Sequence, residues 1–166
     1  MKIVHSSAVI IDEYRYKLER IWSFLHPKLV VGMLNPSTAD EDVNDPTISF
    51  LIEWAFGQGF GGIHVVNEKA FRSPSPAIMM LEDDPRGPLN PRYMDDAMRY
   101  AKETSGVALA AWGNGCDGRL FIRMAKKHGV RMICLGTTQS GAPKHPMARG
   151  VHRIPRDQKP IAWSPA

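Results

Sequence analysis

The chain has 166 residues, 43% hydrophobic and 23% charged, which excludes a disordered tract and predicts a single α/β domain over residues 1–166. A folded chain of this length buries roughly 70% of its surface, so the core needs no staple, and Cys116 and Cys134 form no CxxC pair. The net charge of +4 is unevenly spread, with ten basic against two acidic residues from Asp117 onward and eleven against fifteen before it.

In chain order, residues 7–11 and 14–18 flank Asp12-Glu13 and read as an N-terminal β-hairpin. Residues 28–34 are a continuous apolar run, the pattern of a strand buried on both faces. Asp45-Pro46 has the form of a helix N-cap followed by proline in the first turn. Ile48, Leu51, Ile52, Ala55 and Phe56 then recur at helical spacing, and Gly57 and Gly59 close the helix. Residues 62–66 form a second core strand, and Asn90-Pro91 opens a helix with Met94, Ala97, Met98 and Ala101 on one face. Residues 106–111 are a third strand, 117–128 a helix ending at Gly129, and 130–135 a fourth strand.

This alternation predicts a three-layer α/β sandwich with a mostly parallel central sheet, and ligands in such folds sit beyond the carboxyl ends of the strands. Four loops begin there: Asn35-Pro36-Ser37-Thr38-Ala39-Asp40, Asn67-Glu68-Lys69-Ala70-Phe71-Arg72, Trp112-Gly113-Asn114-Gly115, and the segment ending Lys144-His145-Pro146. Each replaces an apolar run with polar or aromatic groups, and all four are expected on one crevice. Structural uses remain open for most of them. Asn35 before Pro36 and Asn67 at a strand end suit turns, while Trp112 and Phe71 suit packing. His145, in a loop rich in Gly and Pro, points most directly to a ligand, and Lys144 beside it favours the neutral imidazole.

Residues 32–40 (Gly-Met-Leu-Asn-Pro-Ser-Thr-Ala-Asp), Asp45-Pro46-Thr47-Ile48, Ala111-Trp112-Gly113 and Gly141-Ala142-Pro143-Lys144-His145-Pro146 resemble the domain of unknown function 1643 family. Residues 14–18 and Asn67 fit it too. More distantly, the order Asn35-Pro36, Asn67, Trp112-Gly113, His145-Pro146 resembles uracil-DNA glycosylases, whose motifs end the same four core strands. The chain departs from them at two points. Gly32 stands one residue further from Asn35, and Met147-Ala148 replace the Ser-Pro that follows His-Pro.

The resemblance implies a uracil-DNA glycosylase-like fold and hydrolysis of an N-glycosidic bond. Asn35 would position water and His145 would stabilise the departing base, as the catalytic pair. Pro36, Ser37, Asn67, Phe71, Trp112 and Lys144 are the ligand-binding candidates, with Asn67 reading the base edge. An amide takes no proton, so a general base must come from Asp40, Asp42 or Asp45. The Asp40-Glu41-Asp42 cluster also raises metal-assisted hydrolysis, but its spacing matches no known metal motif and no metal is expected. No Walker-type or dinucleotide-binding loop is present, so no cofactor is expected.

The expected partner is nucleic acid or a nucleobase-containing small molecule. The basic C-terminal half marks either a phosphate-binding surface or a solvated face. The alternative function is a non-catalytic module that keeps the base pocket. No run of about 18 apolar residues and no charged-then-apolar leader occurs, which predicts a cytoplasmic protein without a membrane partner.

Overall fold

The apolar runs become strands and the periodic segments become helices. In the computed structural model, which describes residues 1–165, seven strands form one sheet: β1 (His5–Ile11), β2 (Tyr14–Ile21), β3 (Lys28–Met33), β4 (Gly62–Asn67), β5 (Val107–Ala110), β6 (Arg131–Cys134) and β7 (Ile161–Ala162). Their spatial order is β1-β2-β4-β3-β5-β6-β7. The helices are α1 (Pro46–Gly57), α2 (Pro76–Met79), α3 (Asn90–Glu103) and α4 (Arg119–His128), with a 3-10 turn at Gly150–His152.

The N-terminal hairpin is present, and β4, β3, β5 and β6 run parallel. The sheet as a whole is nevertheless mixed rather than mostly parallel, because β1–β2, β2–β4 and β6–β7 are antiparallel. The connections explain the correction. A turn at Asp12 and Glu13 can join only antiparallel strands, and parallel neighbours need a crossover of about a dozen residues or more. The short link over 22–27 instead passes the start of β4, where Gly62 pairs with both Ile21 and Lys28. β4 is thereby inserted between β2 and β3.

Alternation along the core strands divides two apolar layers. Leu29, Val31, Val65 and Leu109 face α1, while Val30, Val66, Ala108 and Ala110 face α3 and α4. Gly32 lies on the second face, where a Cβ would stand 2.2 Å from the Phe121 ring. Its lack of a side chain lets α4 close on the sheet. No helix among the described residues is long and apolar enough to cross a membrane.

A charged cluster on the α3 side sits inside this framework. Glu19 of β2 is ion-paired with Lys17 and Lys28, and its Oε1 is 3.5 Å from Nδ1 of the buried His64 on β4. Burial pushes the His64 imidazolium down to about 4, with Glu19 opposing. Burial also pushes the Glu19 carboxyl up, but His64, Lys28 and Lys17 outweigh it and bring it down to about 2. At neutral pH the imidazole is uncharged, so the two lysines alone balance the carboxylate.

Acid should therefore destabilise the fold in two stages. Between 6.5 and about 4 an unfolded histidine is protonated while His64 is not, so stability falls as pH falls through that window. Glu19 adds a further loss from 4.5 toward about 2. Urea denaturation across this range should show both stages, and His64→Leu should shrink the upper one.

Candidate functional site

The site begins with an irregularity in the hairpin. Val9 pairs with Lys17 and Ile10 with Arg15, so Tyr16 has no partner in β1 and forms a β-bulge. The extra residue shifts the alternation, and Arg15 and Arg20 both reach the loop between β3 and α1. Arg15 Nη1 donates to the Ala39 carbonyl at 2.6 Å, and Nη2 to Asn67 Oδ1 at 3.4 Å. Arg20 Nε donates to Asn44 Oδ1 at 2.8 Å, and its Nη2 to the carbonyls of Asp40 and Val43. Arg15 is only 3% exposed. Burial draws its guanidinium down to about 10, with Asp45 opposing, so it stays charged at neutral pH.

A recess of about 220 Å³ opens at the carboxyl end of β3, lined by Arg15, Asn35, Ser37, Asp45, Ser73 and His145 together with neighbouring apolar residues. Asn35 Nδ2 donates to the carbonyls of Pro36 at 3.0 Å and Ser73 at 2.8 Å. Two carbonyl partners define which end of the amide is nitrogen and leave Oδ1 as an acceptor. Pro36 is buried, and its carbonyl also accepts from the Ser73 N–H at 3.0 Å.

Asp45 caps α1 as expected, its Oδ1 accepting from the Ile48 N–H at 2.8 Å. Its second oxygen makes no protein hydrogen bond among the described residues. Asp45 is thus the one of the three candidate carboxylates that lines the recess. Asp40 uses Oδ1 to accept from the N–H groups of Asp42 and Val43, and Asp42 is exposed. No group of three or more His, Cys, Asp or Glu side chains is arranged around a common point among the described residues.

His145 Nδ1 accepts from the Met147 N–H at 3.1 Å, so the ring proton resides on Nε2. Burial pushes its imidazolium down, Asp45 opposing, and the neutral ring is favoured. Burial, rather than Lys144, is therefore the cause. The Lys144 stem lies instead against Gly136, where a Cβ would be 3.6 Å from Lys144 Cδ. The loop bearing His145 is set by Gly113, whose N–H donates to the Pro143 carbonyl at 2.9 Å. Gly113 has φ of 75°, and a Cβ there would be 3.2 Å from His145 Cβ. A side chain at this position would be strained and would press on His145.

The other candidates lie apart from the recess wall. Asn67 is 1% exposed and sits behind Arg15, its Nδ2 buried without a partner. Phe71 packs edge-on against Tyr14. Trp112 meets Phe121 and Trp163 edge to face, and it borders a second recess of about 310 Å³ with Asn114, Ser140 and Trp163. The ring occupies the space in front of Gly118, where a Cβ would come within 2.2 Å of it. Glu68 is a structural residue that sequence reasoning missed. Its two oxygens accept from the N–H groups of Leu120 at 2.8 Å and Phe121 at 3.2 Å, capping α4 across the sheet edge. Arg15 was missed as well, since ordinary alternation gives no sign of the bulge.

A family model described as "Protein of unknown function (DUF1643)" matches residues 15–147. The chain belongs to this family. Comparison with curated proteins and with solved structures finds no match. The DUF1643 match runs from the arginine at the base of the recess to the residue whose N–H orients His145, and so spans every lining group described above.

In this DUF1643 protein, Arg15→Met should leave the Ala39 carbonyl and Asn67 Oδ1 without their donor in a buried setting. Each unmet group costs about 1–3 kcal/mol, so a loss of about 3 kcal/mol is expected in urea denaturation. Limited proteolysis should also cut the loop over 35–45 faster than in the wild type.

Proposed function

We propose that this protein hydrolyses the N-glycosidic bond of a nucleobase-containing substrate on a uracil-DNA glycosylase-like fold. The observation that carries the reading is one small recess lined by Asn35, the Asp45 carboxylate and a neutral His145, over the buried charge of Arg15. The strand order β4-β3-β5-β6 supports it. The chain order reverses between β3 and β5, the point at which open α/β sheets bind ligands. At about 220 Å³ the recess is smaller than sites for drug-sized ligands, which suits one base ring rather than a dinucleotide.

The chemistry follows from the charges that develop. As the bond from C1′ to the base nitrogen breaks, positive charge grows on the sugar and negative charge on the base. His145 donates its Nε2–H to the departing base, and the Arg15 guanidinium adds a fixed positive field below. Asn35 Oδ1 accepts from the attacking water and orients it. The unpaired oxygen of Asp45 takes the proton as the water oxygen bonds to C1′. That proton then passes to the released base. Asn67 acts through Arg15, whose Nη2 it holds.

The test is base release from uracil-, hypoxanthine- and other lesion-containing oligonucleotides and from nucleosides. The wild type should release a base, and His145→Ala should be slowed about 100-fold or more. Asp45→Asn should be slowed about 10²–10⁴-fold; asparagine keeps the cap of α1, and any stability lost with the charge opposite Arg15 is read separately by urea denaturation. Unchanged rates in both variants would refute these roles. Absence of release from the whole panel by the wild type would leave a base-binding module in place of an enzyme.

A further inference from the structure

Beyond His145 the chain turns back over α1, and residues 146–156 wall a groove of about 710 Å³ with Phe50. The groove lies beside the recess. His145 lines one and Pro146 the other, while Thr47 and Ile48 of α1 face the recess and Phe50, on the same helix, faces the groove. Three arginines line it: Arg149, Arg153 and Arg156. Arg156 is anchored by Glu53 and lies over the Phe50 ring, 5.2 Å from its centroid. Arg149 and Arg153 are exposed and make no ion pair among the described residues. The acidic groups beside them are Glu53, already engaged by Arg156, and the exposed Asp157.

We infer that this groove holds the sugar–phosphate backbone of a polynucleotide, so that the substrate base enters the recess from a strand rather than as a free nucleoside. The naming of the substrate rests on the hydrolytic reading above, whereas strand binding rests on the groove alone. Guanidinium groups present planar forks that match phosphate oxygens, and three of them line this one open groove, two without an acidic partner among the described residues. The groove is also more than three times the volume of the recess it adjoins, room for a chain leading into it. A base in a duplex would have to leave the stack to reach the recess, at a cost of a few kcal/mol that backbone contacts help to offset.

Fluorescence anisotropy of labelled single- and double-stranded oligonucleotides on the full chain, repeated over a range of salt concentrations, tests this. Wild-type affinity should fall steeply with salt. The double variant Arg149→Ala/Arg153→Ala should bind about tenfold or more weakly at low salt, with the slope of log affinity against log salt reduced by about 1.5. The corresponding double lysine variant should keep most of that slope. Base release should fall for oligonucleotides and stay unchanged for nucleosides. Equal binding by wild type and the alanine variant would overturn the inference, as would competition by polyglutamate that equals that of an oligonucleotide of the same charge. Intact, arginine-dependent strand binding without base release would refute hydrolysis and leave the groove assignment standing. Base release independent of both arginines would do the reverse.

Discussion

The guanidinium of Arg15 lies beneath the loop between β3 and α1 with almost no access to solvent. A buried charge of this kind persists only if its donors are met and an opposite charge is near. Here the Ala39 carbonyl and Asn67 Oδ1 meet two of them, and Asp45 supplies the opposing charge. Arg20 draws the next stretch of the same loop down through Asn44 and two carbonyls. The loop that carries Asn35 and Asp45 is therefore shaped from below by an antiparallel strand outside the parallel core. The N-terminal hairpin is the floor of the site, not an appendage to it.

The opposite wall is built by different means. His145 comes from the loop after β6, and the backbone of Gly113 after β5 holds that loop through Pro143. Trp112 fills the space beneath, and Glu68 ties the end of β4 to the start of α4. Each of the four loops is thus in use, but for unequal tasks. Those after β3 and β6 carry Asn35, Asp45 and His145, and those after β4 and β5 hold them in position, the β4 loop adding Ser73 to the wall. This division explains why the Trp-Gly and His-Pro pairs occur in one chain.

Much of this was legible in the order of residues. Strands buried on both faces announce themselves as unbroken apolar runs, so the four core strands and their carboxyl ends followed directly. Asp45-Pro46 showed its cap, and Asn35, Ser37 and His145 were selected by position alone. The mixed sheet was not legible, because the partner of a hairpin is decided by which edge lies open, and no local signal encodes that. Asp45 could not be chosen over Asp40 or Asp42 without the path of the loop, which the arginines determine. Asn67 and Trp112 lie deeper than their polar neighbours suggested, since the sheet and α4 cover them. Arg15 was hidden by the assumption of strict alternation.

The bulge at Tyr16 gives the hairpin a phase. The direction in which Arg15 points is counted from the pairing of β2 with β4, which runs from Leu18 to Ile21. Without the bulge, and at its present length, the strand would turn the guanidinium to the α3 side while every strand could still form. Additions in the turn around Asp12 and Glu13 lie outside that count and would leave it unaffected. The hairpin therefore tolerates variation in length at its tip but carries a fixed reading frame across Tyr16 and Lys17, between Arg15 and Leu18. A homologue could lengthen the tip freely, but one without the bulge would keep the site only if it also lacked one residue between Arg15 and Leu18.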